Sequence, residues 1–97
     1  MDDFSFERRR RPPRGNVTVG RIINIDRRNR SFTTISDGNV SSVIRFNVTP
    51  HALILTRDGV PVNFSRLRPG LRVRVRHANF MTASIPPQTT AFEIWIL

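Results

Sequence analysis

The stretch 71-LRVRVRH-77 decides the fold. Arginine and valine alternate there with a period of two. An extended chain puts Val73 and Val75 on one face and Arg72, Arg74 and Arg76 on the other. A helix would scatter the same residues around its circumference. The segment reads as a half-buried β-strand, with Leu71, Val73 and Val75 inward and the arginines outward. The preceding turn, 65-SRLRPG-70, ends in Pro-Gly and carries Leu67 as a plug for the core.

Toward the N-terminus the β character continues. In 17-VTVGRIINID-26 the apolar Val19, Ile22 and Ile25 are three apart with Gly20 among them, which predicts a bulge or sharp coil of the kind a closing barrel needs. A polar turn, 27-RRNR-30, leads to a second strand, 31-SFTTIS-36, rich in β-branched residues. The hairpin signal 37-DGN-39 precedes a third, 40-VSSVIRFNV-48. Its Ile44, Phe46 and Val48 share one face, and Arg45 and Asn47 the other. The segment 49-TPHALIL-55 leaves through a proline and reads as either a helical turn or a short strand. A second hairpin signal, 57-RDG-59, precedes 60-VPVNF-64, expected as an edge strand because Pro61 cannot donate to a ladder.

Toward the C-terminus, 77-HANFMTASIPPQTT-90 is a long connection stiffened by Pro86 and Pro87. The segment 91-AFEIWIL-97 closes the chain with Phe92, Ile94 and Ile96 on one face. No amphipathic helical run of useful length occurs. Six or seven short strands with frequent turns predict an all-β domain: a small closed or partly open five- to seven-stranded OB-like barrel. Closure is favoured because it removes exposed edges. Residues 1–15, with a four-arginine run followed by Pro-Pro, are expected to form a disordered basic tail, and residues 16–97 the barrel.

Four pieces in order, "VGRIINID" (19–26), "IRFNVTPHALI" (44–54), "LRPGLRVRV" (67–75) and "AFEIWI" (91–96), resemble small OB-like β-barrel domains of bacterial proteins. The shared pattern is a glycine-containing first strand ending in Ile-Asp, a strand leading into a threonine, a leucine-to-glycine turn, a Val-x-Val strand and a closing strand. The resemblance covers residues 17–97 and implies a barrel similar in shape to oligonucleotide-binding folds, without a particular chemistry. Between the third and fourth strands the chain departs from it. A proline turn and an Asp-Gly hairpin stand where the OB pattern has a helix.

Composition narrows the function classes. The absence of cysteine excludes a disulfide framework and a thiolate metal site. No run approaches a membrane span, and no apolar stretch follows the N-terminal arginines as in a secretory signal, so a soluble cytoplasmic protein is expected. His51 follows a proline and His77 ends a strand, neither in a nucleophilic motif. Asp26, Asp37 and Asp58 each stand at a turn, where aspartate commonly bonds the backbone. No enzyme activity, metal or cofactor is expected.

The net charge of +9 comes entirely from arginine, since lysine is absent. Residues 16–97 hold eleven arginines against four acids, so most of the excess belongs to the folded part. Such a surface suits nucleic acid, acidic polysaccharide, an anionic membrane or an acidic protein. Arginine-rich codon usage and solubility account for the same excess without any ligand. The functional expectation is a small basic module that holds single-stranded nucleic acid or another polyanion non-specifically, through arginine–phosphate contacts. Arg72, Arg74 and Arg76, spaced about 6.6 Å apart by strand geometry, would form its centre. Arg45 on another strand and Arg27, Arg28 and Arg30 in the first turn would extend it. Phe80, Trp95 and Phe32 are candidates for base stacking, Phe80 foremost, whereas Phe46, Phe64 and Phe92 read as core. The alternative is a structural or assembly protein that self-associates or docks on an acidic partner, with homo-oligomers as one form.

Overall fold

The computed structural model describes residues 16–36 and 42–97. The expected tail at 1–15, the Asp-Gly-Asn turn and the first two residues of the expected third strand lie outside them. Five strands form: β1 (Asn16–Asp26), β2 (Ser31–Ser36), β3 (Val43–Leu55), β4 (Arg72–His77) and β5 (Gln88–Ile96). Their order around the sheet is β1-β2-β3-β5-β4, and β4 pairs back onto β1, so the barrel is closed. All neighbours run antiparallel except β3 and β5, which are parallel. Among the described residues the one helical element is a short 3-10 turn, Phe64–Arg66.

β4 takes the bounds its alternation implies. Val73 and Val75 are fully buried, and Arg72 and Arg74 point outward. The inward set of the barrel interior includes Ile22, Phe32, Phe46, Leu67, Val73, Val75, Ala91 and Ile94. Each large aliphatic or aromatic side chain so buried contributes about 1.5–3 kcal/mol of hydrophobic stabilisation. Phe46 is the hinge of this core, with the Phe32 ring 5.4 Å away on one side and the His77 ring 5.2 Å away on the other. His77 is buried without an orphan nitrogen. Its Nδ1–H donates to the Ala78 carbonyl (3.0 Å), so in the neutral ring Nε2 accepts from the Thr18 hydroxyl (2.8 Å).

β1 serves two neighbours. Residues Asn16–Arg21 pair with β4 and Gly20–Asp26 with β2, so Gly20 and Arg21 are flanked on both sides. The register shift falls between Ile22 and Asn24, which makes Ile23 the extra residue and turns its side chain outward. The phase change legible in the sequence is therefore real, but it arises three residues beyond Gly20. The glycine answers a different need: a Cβ there would lie 2.6 Å from the Ile35 carbonyl oxygen.

The closed all-β barrel is as expected, with five strands, the lower end of the expected five to seven. Finer readings are settled or corrected. The open choice at 49–55 resolves as strand, because β3 continues to Leu55. Pro50 falls where the β3–β5 register is interrupted, between Val48 and Leu53, so its missing N–H is accommodated there. Residues 60–64 are not an edge strand. They touch the sheet at one bridge, Leu55 to Pro61, and then enter the 3-10 turn. Finally, two phenylalanines exchange roles. Phe32 is buried against Phe46 instead of facing outward. Phe92, expected in the core, is the bulged residue of β5: Ala91 pairs with His77 and Glu93 with Arg76, which leaves Phe92 half-buried beneath the Arg76 guanidinium at 5.6 Å.

Candidate functional site

The outward arginines fall into separate groups. Arg72, Arg74 and Arg76 lie on β4 between β1 and β5. Arg45 lies on β3, with β5 between it and β4. Along β5, Arg45 is level with Gln88 and Arg76 with Glu93, an offset of roughly 15 Å for strand geometry. The β4 row therefore does not converge with Arg45. Among them, Arg76 lies 3.6 Å from Glu93 and Arg45 lies 3.1 Å from Asp26. Phe80 is exposed in the connection after β4.

The first turn is built differently. Asp26 accepts the Asn29 backbone N–H (3.2 Å) and its side-chain amide (2.8 Å), which closes the turn from within. Arg45 Nη2 reaches the same carboxylate, while its Nε donates to the Ser31 hydroxyl (3.2 Å). These donors, Asn29 first, hold the Asp26 carboxyl below the usual aspartate value. Arg30 ends the turn at φ 49°, a left-handed conformation uncommon outside glycine. That geometry sends its side chain back across the barrel end. Nε and Nη2 donate to the Val48 and Thr49 carbonyls (3.4 Å each), and the guanidinium lies 5.2 Å from the Phe64 ring centre. Arg27 Nη2 donates to the Leu67 carbonyl (3.2 Å). Arg28, between them, is exposed.

Arg27 and Arg30 thus bridge the turn to the segment that leaves β3. That segment is itself held by Val62 N–H to the Ile54 carbonyl and by the Leu55–Pro61 bridge. Between turn and segment lies an open cleft of about 510 Å³, lined by Arg27, Arg30, Pro50, Ala52, Ile54, Val62, Asn63, Phe64 and Ser65. Its floor is aliphatic and aromatic. Its rim carries two guanidinium groups, an amide and a hydroxyl, and among the described residues no acid lines it. The sequence singled out Arg27 and Arg30. It did not single out Ala52, Ile54 or Val62 as lining, because the cleft exists only once the 3-10 turn folds back beside β3.

Fold and site together define a class: a closed five-stranded OB-like barrel with a polar-rimmed apolar cleft where the OB pattern has a helix. No family model and no curated protein matches the sequence. Among solved structures, the chain is similar to the crystal structure of silver(I) CusF, at a TM-score of 0.59 and 14% identity, over 88% of this chain and 100% of that one. It is similar also to a copper(II) form of a tryptophan-to-alanine variant of Escherichia coli CusF, at a TM-score of 0.59 and 14% identity, over 90% of this chain and 96% of that one. At that identity the likeness shows the fold alone.

The likeness corrects the functional expectation. The expectation of a nucleic-acid or polyanion module rests in part on a barrel shape similar to oligonucleotide-binding folds. Two solved barrels that share this shape are silver and copper forms of CusF, not nucleic-acid complexes, and the inference from shape is overturned. The dispersed and partly neutralised arginines give the physical reason. Among the described residues no helix is long and apolar enough to cross a membrane.

Proposed function

We propose that the protein is a small-molecule-binding barrel, with the cleft between the first turn and the 3-10 segment as its site, and that it is not an enzyme. The observation that carries this is the cleft itself. Its volume of about 510 Å³ lies inside the range of small-molecule sites, roughly 300–1,000 Å³, and its wall sets aliphatic and aromatic side chains beside two guanidinium groups, an amide and a hydroxyl. Both histidines lie outside its lining. His77 has both ring nitrogens engaged, and His51 is exposed on β3. The proposal therefore includes binding and no proton-transfer step.

The metal ions named for CusF are not carried over to this chain. Silver(I) and copper ions are held by thiolate, thioether and imidazole donors. Here cysteine is absent, and among the described residues no three His, Cys, Asp or Glu side chains come together as a metal site. Met81, the one methionine in the described segments, is exposed.

The test is amide-resolved NMR with a neutral bicyclic probe, 2-naphthamide. Shifts concentrated at Ala52, Ile54, Asn63 and Phe64, and abolished in Ala52→Trp, are expected. Shifts spread over the barrel, or surviving that substitution in a folded variant, defeat the proposal.

A further inference from the structure

We infer that the ligand of this cleft carries an oxyanion, a carboxylate or phosphate, on its apolar body, and that Arg27 and Arg30 receive it. The inference rests on the cleft reading above and adds the chemistry of the ligand's polar end.

The first support is how the two guanidinium groups are anchored. Arg45 and Arg76 are paired with carboxylates, which cancel their charge. Arg27 and Arg30 are tethered to the backbone carbonyls of Leu67, Val48 and Thr49. A carbonyl satisfies an N–H but leaves the cation's charge in place. Each guanidinium carries five N–H donors. Arg27 spends one on these carbonyls and Arg30 two. Donors thus remain for a ligand on groups whose position is already fixed, so little side-chain entropy is lost on binding.

The second support is that, among the described residues, no acid stands on the cleft wall. Asp26 is the nearest carboxylate in sequence, and it is committed to Asn29 and Arg45. The third is backbone conformation. Arg30 holds φ 49°, a left-handed state that is sterically costly for a residue with a side chain. Glycine or asparagine would relieve it, yet neither could place a cation between the Val48–Thr49 backbone and the Phe64 ring. Planar forks such as these match carboxylate and phosphate alike. Ala52, Ile54, Val62 and Phe64 add apolar wall beside the two forks, which suits a ligand with an apolar body.

The experiment compares 2-naphthoate, 2-naphthyl phosphate and neutral 2-naphthamide by NMR titration. At least one anion is expected to bind roughly tenfold or more tighter than the amide, as charged hydrogen bonds imply. Which anion leads separates a carboxylate ligand from a phosphate one. Arg27→Gln is expected to remove most of that preference, weakening the anions far more than the amide. Arg30→Lys keeps the charge and loses the fork, and is expected to reduce the preference in part. Amide and anions binding equally overturns the anion inference and leaves the cleft reading standing. None of the three reaching the cleft overturns both.

Discussion

Replacing Gly20 by alanine would put a methyl group 2.6 Å from the Ile35 carbonyl oxygen, a backbone atom with no rotamer to yield. Strand pairing on both sides of Gly20 prevents β1 from shifting away. Gly20→Ala is expected to destabilise the barrel by about 1–3 kcal/mol, the range for overpacking a tight site. Guanidinium denaturation measures it, and a change of a few tenths would mean that β1 and β2 separate freely. Asp26 gives a prediction in pH. Asn29 and then Arg45 lower its folded pKa below the ordinary value that the unfolded chain shows. A lowered folded pKa adds stability that is complete above the ordinary aspartate value and drains away as pH falls through the folded one. The stability gap between wild type and Asp26→Asn should therefore be constant near neutrality and narrow in acid. A gap independent of pH down to strongly acidic solution would show that the carboxylate's charge does not sustain the turn.

Within elements, alternation was the most legible signal. β2 and β4 take the bounds their residues imply, because each is short and follows a strong turn signal. β4 gives the direct test. Val75→Ala should cost roughly 1.5–3 kcal/mol from lost burial and the residual cavity. Arg74→Gln, which keeps the stem, should stay within about 0.5 kcal/mol. Comparable losses at both positions would refute the inward–outward assignment. The misses share one physical cause. Whether 49–55 is a strand, whether 60–64 pairs, and whether Phe92 faces the core all depend on which partner strand lies alongside and in what register. Phe92 alternates correctly with Ile94 in sequence, yet the bulge opposite Arg76 and His77 breaks that phase. Local pattern carries no information about a bulge created by pairing across strands.

At the scale of the molecule, composition showed the charge but not its distribution. The alternation of β4 made its arginines conspicuous, while Arg30, whose placement depends on a left-handed backbone and on contacts to β3 and Phe64, looked like any other turn residue. The net charge itself makes a testable statement. Sixteen arginines face seven acids, and Arg21 and Arg72 sit directly opposite each other on β1 and β4. Like charges facing across a ladder destabilise it, and a large net charge works against the compact state through self-repulsion. Against this stand part-exposed ion pairs such as Arg45–Asp26 and Arg76–Glu93, each worth at most about 1 kcal/mol. Salt screens both, with the Debye length falling from about 10 Å at 0.1 M to about 3 Å at 1 M. If repulsion outweighs pairing, sodium chloride raises the melting temperature, and about 1 kcal/mol of relieved repulsion corresponds to roughly 4–8 °C for a domain of this size. We expect that rise between low salt and 0.5 M, measured by calorimetry at neutral pH. A fall over the same range would mean that the paired arginines dominate and that the excess charge is already well dispersed. Arg21→Gln sharpens the choice. It removes one of two facing cations, so it should raise the low-salt melting temperature and shrink the salt response together.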